Sequence, residues 1–200
     1  MQISGNFLFF SVYGGTLRQY CLCHGKELKN WHKLHGASIT QIWATREFVI
    51  SGDADGYLIQ VCPIHFTKTK EYGKVHGSAI TSIDGDPHGH YFFTADKSGH
   101  VIQFCLKTQR KIRGFDAITK GGGIRSLHVI QHQDYAKNVS NIHQSALNHN
   151  AYCMSEPNLC VVILSEDSNL YISGNLISNF INEYDGTWLS YKNDMLDPQG

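Results

Sequence analysis

Residues 35–61 begin His35-Gly36-Ala37-Ser38-Ile39-Thr40-Gln41-Ile42 and continue, after a short gap, Phe48-Val49-Ile50-Ser51-Gly52-Asp53-Ala54-Asp55-Gly56-Tyr57-Leu58-Ile59-Gln60-Val61. The first half returns 41 positions later as His76-Gly77 and Ile80-Thr81-Ser82-Ile83. The second half returns 43 positions later as Tyr91-Phe92-Phe93-Thr94-Ala95-Asp96, followed by Gly99, Gln103 and Phe104. Two extra residues in the turn around Asp86-Pro87-His88-Gly89 absorb the offset. A fixed period of a few tens of residues means stacked copies of one supersecondary unit.

Working outward, Gly15, Gln19 and Tyr20 stand opposite Gly56, Gln60 and Val61, so the N-terminal segment is another copy. Trp31, Tyr72 and Phe115 keep register, as do Cys21, Cys62 and Cys105. Toward the C-terminus, Ile124-Arg125-Ser126-Leu127 resumes the pattern. A polar insertion at 131–158 interrupts it, and it returns as Leu159-Cys160-Val161-Val162-Ile163-Leu164 and Asp167-Ser168-Asn169-Leu170. Asn169 fills the slot of Gly15, Gly56 and Gly99. A short connection between two strands needs a residue with φ above zero, which Gly supplies without steric penalty and Asn tolerates best among the others.

Each copy therefore predicts one strand, a tight hairpin, and a fourth strand carrying the Trp31/Tyr72/Phe115 position. Four short strands per repeat make the blade of a β-propeller, an all-β fold. The copies span about 1–34 (lacking its innermost strand), 35–75, 76–117 and 118–185, with a tail at 186–200. Propellers close with about four to eight blades, and an open one leaves a core face uncovered. Four copies are thus expected to be part of a larger ring, completed by a longer chain or by a partner chain.

The sequence resembles the WD-repeat family over about residues 7–130 and more faintly over 159–175. The resemblance rests on His35-Gly36 and His76-Gly77 at the family's Gly-His position in reversed order. Ser51-Gly52, Thr94-Ala95 and Ser11 stand at its Ser-Gly position, and Asp55-Gly56 matches its turn acid. The Trp-Asp pair that names the family is replaced by Tyr20-Cys21, Val61-Cys62 and Phe104-Cys105. Val61 and Phe104 have no N–H to donate from their side chains. The resemblance accordingly implies that the family's His, Ser/Thr, Asp and Trp tetrad is reduced to a three-member remnant of His35, Ser51 and Asp55. It also implies a seven-bladed ring that acts as a non-enzymatic scaffold for protein or peptide partners. A recognition module of a larger enzyme complex, such as a kinase or ubiquitin ligase, is the alternative.

Composition narrows the partner classes. Across 200 residues, seventeen Lys and Arg balance seventeen Asp and Glu, which removes the electrostatic footprint of non-specific phosphate binding. Nucleic acid is therefore not expected as a partner. No apolar run approaches the roughly 18–20 residues of a membrane-spanning helix, and the opening MQISGNFLFFSVYGG lacks the basic start of a secretory signal. These features predict an intracellular protein, cytoplasmic with the nucleus left open, whose six cysteines are reduced. The Asn138-Val139-Ser140 sequon is then expected to be idle.

Cys21-Leu22-Cys23-His24 and Cys62-Pro63-Ile64-His65 each contain a Cys-x-x-His, and they are the sharpest metal-like feature, the basis of a metal-binding alternative. Zinc needs about four ligands within roughly 2.3 Å of one ion, whereas equivalent positions of packed sheets lie about 10 Å apart. No metal and no cofactor are expected. His128, His132, His143 and His149 show no fixed ligand spacing, and Gly121-Gly122-Gly123 is followed by neither a helix nor a Lys-Ser/Thr pair. No nucleophile elbow or spaced pair of acids marks a catalytic centre. Exposed turns near Asp53 to Gly56 and Asp96 to Gly99, together with the insertion, are the expected contact surfaces.

Overall fold

The structure, a computed structural model, describes residues 1–86, 89–115, 122–131, 159–168, 170–174 and 189–191. Its chain is all-β, with four antiparallel sheets of four strands and no helix among the described residues. The first sheet contains β1 (Gln2–Ser4), β2 (Phe7–Val12), β3 (Thr16–Cys21) and β4 (Lys26–Trp31). The second contains β5 (Ile39–Ala44), β6 (Val49–Asp53), β7 (Tyr57–Cys62) and β8 (Thr67–Lys74). The third contains β9 (Ile80–Gly85), β10 (Tyr91–Asp96), β11 (Val101–Cys105) and β12 (Arg110–Phe115). The fourth contains β13 (Ile124–Gln131), β14 (Leu159–Ser165), β15 (Leu170–Gly174) and β16 (Leu189–Tyr191). In every sheet spatial order follows chain order, a simple meander compatible with propeller-like blades.

Three expectations are corrected here. The first copy does not lack its innermost strand: Gln2–Ser4 pairs with β2, Ile3 opposite Leu8, and completes the sheet. The fourth copy does not end before the tail, because Leu189–Tyr191 pairs with β15 as its last strand. The left-handed slot of the fourth hairpin belongs to Ser168 (φ 65°), one residue before Asn169. Register decides this. Leu164 faces Leu170 as Ala95 faces Val101 and Gly52 faces Leu58. Ser168 N–H donates to Ser165 O (3.2 Å) just as Gly56 donates to Asp53 (3.3 Å) and Gly99 to Asp96 (3.2 Å). Asn169 itself lies outside the described residues, as does 132–158 of the insertion, which connects β13 to β14.

The sheets stack through three apolar cores. Phe9, Leu17 and Trp31 pack against Ile42, Val49, Ile59 and Val61 between the first two sheets. Trp43, Ile50 and Leu58 meet Ile80, Phe92, Ile102 and Phe104 between the second and third, with Tyr72 against them. Tyr91, Phe93 and Val101 meet Ile124, Leu127 and Ile163 between the third and fourth, with Phe115 at the margin. The in-phase aromatics Trp31, Tyr72 and Phe115 thus each serve one interface between sheets. Burying such a side chain fully contributes about 1.5–3 kcal/mol. The middle strands β6 and β10 are buried along their whole length because both faces are covered, while β8 and β12 at the outer edge carry exposed Lys and Arg.

Candidate functional site

The polar centre of the second sheet begins with alternation. Ser51 and Asp53 are two apart on β6 and so share a face. His35, in the connection from β4 to β5, docks on that face, its own N–H donating to Gly15 O at 3.0 Å. Its ring places Nε2 2.8 Å from Ser51 Oγ and Nδ1 3.0 Å from Asp53 Oδ2. The carboxylate calls for a donor, so Nδ1 carries the proton and Nε2 accepts from the Ser51 hydroxyl. Burial holds His35 below its usual pKa although Asp53 pulls the other way. The second oxygen of Asp53 accepts from the N–H groups of Asp55 (3.0 Å) and Tyr57 (2.8 Å), shaping the turn.

Asp55, the expected third member, is therefore replaced in that role by Asp53. Asp55 lies past the end of β6, exposed to solvent. A second triad forms in the third sheet, where only one was expected. His76 Nε2 lies 2.8 Å from Thr94 Oγ1, and Nδ1 is 3.1 Å from Asp96 Oδ2, a close contact off the line of a hydrogen bond. Asp96 Oδ1 accepts from Ser98 and His100 N–H, both at 2.9 Å, repeating the Asp53 turn. Burial raises the pKa of Asp96, but contact with His76, the His100 amide and the charge of both imidazoles outweigh it and hold the acid at about 2. The signal was present in the sequence as Ser51-x-Asp53 and Thr94-x-Asp96, each with its His eighteen residues before Asp53 or the hydroxyl residue of the next copy.

Gly15 and Gly56 are fixed by the same construction. Gly56 has φ +87°, and a Cβ there would lie 2.2 Å from His76 O; at Gly15 (φ +70°) it would lie 2.2 Å from His35 O. The glycine thus lets the chain leading into the next His cross directly over the turn. Gly99 also has positive φ, +90°. Open clefts flank each triad. One of about 350 Å³ is lined by His35, Asp53, Asp55, Tyr57, Ile59 and Glu71. A smaller one of about 180 Å³ is lined by His76, Asp96, His100, Ile102 and Lys111. Beside them Asp55, Tyr57, Lys97 and Ser98 are exposed, and Ser98 Oγ hydrogen-bonds Ser78 Oγ at 2.9 Å.

The Cys-x-x-His segments do not converge on one another, and among the described residues no group of three or more His, Cys, Asp or Glu could hold a metal ion. Each pair is instead local: Cys21 Sγ to His24 Nδ1 is 3.1 Å and Cys62 Sγ to His65 Nδ1 is 3.2 Å. His128 faces Asp84 at 3.7 Å, while His132, His143 and His149 lie outside the described residues. Among the described residues no helix is long and apolar enough to cross a membrane.

No family model and no curated protein matches the chain. Similar solved structures include the computationally designed Ika4 protein, at 18% identity and TM-score 0.60, covering 85% of this chain and 86% of that one. Another is U3-55K, at 10% identity and TM-score 0.66, covering 93% of this chain and 48% of that one. At such identities the likeness is one of fold. This chain spans about half the length of U3-55K.

Proposed function

We propose that the four sheets are blades of a WD-repeat-like propeller, part of a larger and seven-bladed ring, and that the chain works as a non-enzymatic platform for protein or peptide partners. The observation that carries the platform reading is the use made of the buried polar groups. Both His–hydroxyl–carboxylate triads are spent on fixing turns, and those turns hold Asp55, Tyr57, Lys97 and Ser98 at the surface. A rigid scaffold presenting loops is the usual arrangement for recognition.

The larger ring is supported by the first sheet. Phe9 and Leu17 face the second sheet, so Leu8, Phe10 and Tyr20 point the other way. There Phe10 and Tyr20 pack ring to ring at 5.5 Å but stay only partly buried, and Ile3 is 56% exposed beside them. A further blade, from a longer chain or a partner chain, would cover this face as the second sheet covers the other.

The test is cross-linking of the full chain in cells, with wild type compared against Asp55→Lys and Ser98→Lys. The expected result is a protein partner cross-linked to the wild type and lost from the charge-altered chains while their melting temperature stays within about 2 °C, as expected of surface changes. Turnover of a small-molecule substrate by the purified chain, with no cross-linked protein, would overturn the platform reading.

A further inference from the structure

The turn from β7 to β8 repeats a feature of the turn from β3 to β4. In both, a cysteine ends the third strand of its sheet and a histidine follows three residues later. In both, the thiol reaches the imidazole, at 3.1 Å for Cys21 to His24 Nδ1 and 3.2 Å for Cys62 to His65 Nδ1. The backbone adds a donor, since His65 N–H points at Cys62 Sγ (3.4 Å). In the third sheet Thr108 N–H makes the same contact to Cys105 Sγ (3.5 Å), with a Thr where the imidazole would be. An imidazole and a backbone amide converging on sulfur favour the thiolate, the nucleophilic form. At Cys21 hydrogen bonding to His24, then the amides around it, holds the thiol below the ordinary cysteine range, while at Cys62 it is the contact geometry that places a base and a donor on the sulfur.

Accessibility separates the copies. Cys21 is 7% exposed and Cys105 4%, whereas Cys62 is partly exposed beside an exposed His65. The Cys62 turn is also held still. Pro63 is buried, its carbonyl accepts a hydrogen bond from Gln19 Nε2 of the first sheet (3.2 Å), and Phe66 packs against the core between the first two sheets. A fixed thiol and base are what a nucleophile requires.

We infer that Cys62, with His65 as its base, is a site of reversible modification by small-molecule disulfides. His65 Nδ1 takes the thiol proton as Cys62 Sγ attacks one sulfur of the reagent. A Cys62–S–S–R bond forms, the reagent's S–S bond breaks, and the departing thiolate recovers the proton from His65. Thiol plus disulfide give mixed disulfide plus thiol, with no other oxidant.

The experiment exposes the full chain, unreduced afterwards, to oxidised glutathione and reads each cysteine by peptide mass spectrometry over time. At pH 7 Cys62 is expected to form the mixed disulfide about three- to tenfold faster than Cys23, which is exposed, and faster still than buried Cys105. His65→Ala should bring the Cys62 rate down to that of Cys23 at pH 7 but leave it unchanged at pH 9.5, where thiols ionise unaided. Lys68 stands opposite Val61, one register position from Cys62, and is ion-paired with Glu71 at 2.7 Å, and Lys68→Ala serves as the charge control. Equal rates for Cys62 and Cys23 in the wild type, or a His65→Ala chain as fast as wild type at pH 7, would overturn the assignment.

Discussion

The first and second sheets share a hairpin but differ in what holds it. In the second, Ser51 and Asp53 bind His35 beneath the turn. In the first, register puts Ser11 opposite Leu17 as Gly52 is opposite Leu58, so Phe10 and Val12 occupy the Ser51 and Asp53 positions. No hydroxyl or carboxylate stands there, yet the turn keeps its shape, with Gly15 at φ +70°. The difference teaches that the left-handed turn residue, Gly15, Gly56 or Gly99 in the first three sheets and Ser168 in the fourth, is the constant of the repeat and the triad is an added brace.

That ordering is broken most severely at the glycines. Gly56→Ala and Gly15→Ala each combine a strained φ with a Cβ 2.2 Å from backbone, which no side-chain movement relieves. Both should destabilise by roughly 4 kcal/mol or prevent folding, in the braced and unbraced sheets alike. Gly25→Ala has φ +60° but open space around it, and should cost about 1 kcal/mol. Chemical denaturation of the three variants decides the matter: a Gly15 variant much milder than the Gly56 variant would make the triad, and not the crossing of the chain, the source of the turn's rigidity.

The next effect separates the two acids of one turn. Asp53→Ala leaves the buried His35 ring and two turn amides without their acceptor, and should lose about 3 kcal/mol. Asp55→Ala should change stability by less than about 0.5 kcal/mol, since its side chain is exposed. Urea midpoints of the pair measure the contrast, and comparable losses would return Asp55 to the brace.

This pair shows where sequence reading stopped. The glycine slot, the hairpins and the phase of Trp31, Tyr72 and Phe115 were legible because turn chemistry and inter-sheet packing are local or periodic. Asp53 was passed over in favour of Asp55 because matching to the family's turn acid overrode the strand's own alternation, which already put Ser51 and Asp53 on one face. In sequence Asp96 reads as a turn residue, which conceals the His76 triad. Gln2–Ser4 was missed for a different reason. A three-residue edge strand is held by backbone pairing to β2 and carries no side-chain signature. Ser168 was missed because Asn is the better left-handed former, and register outweighed that preference.

Acid sharpens the comparison further. His35 is held below its ordinary value of 6.5, so between that value and its lowered one the unfolded chain binds the proton and the folded chain resists it. Its contribution is complete above pH 6.5 and lost as pH falls through the folded value, with a slope of at most about 1.4 kcal/mol per pH unit. Asp96, depressed from 3.8 to about 2, adds a second and separate loss as pH falls from 3.8 toward 2. In His35→Asn the first loss should disappear, leaving a flatter stability curve between pH 6.5 and 5 by thermal denaturation in matched buffers. An unchanged slope would place the titrating group elsewhere.

The smallest effect tests what the hydroxyl adds. Thr94→Val keeps the shape of the side chain and removes only the Oγ1 partner of His76 Nε2, at 2.8 Å. Because the Asp96 contact at His76 Nδ1 is already off the hydrogen-bond line, this is the better directed of the two contacts to the ring. One buried ring nitrogen is left unsatisfied, worth about 1 kcal/mol. In the second sheet Ser51 plays the same part but also lies 3.5 Å from Ile59 O, so its proton has two acceptors. Ser51→Ala should therefore differ from Thr94→Val by only a few tenths of a kcal/mol, about the spread expected for one hydrogen bond. A Thr94→Val loss equal to that of Asp53→Ala would mean that the hydroxyl, rather than the carboxylate, governs the brace. The sheet that carries Phe10 at this position would then have lost more than an accessory.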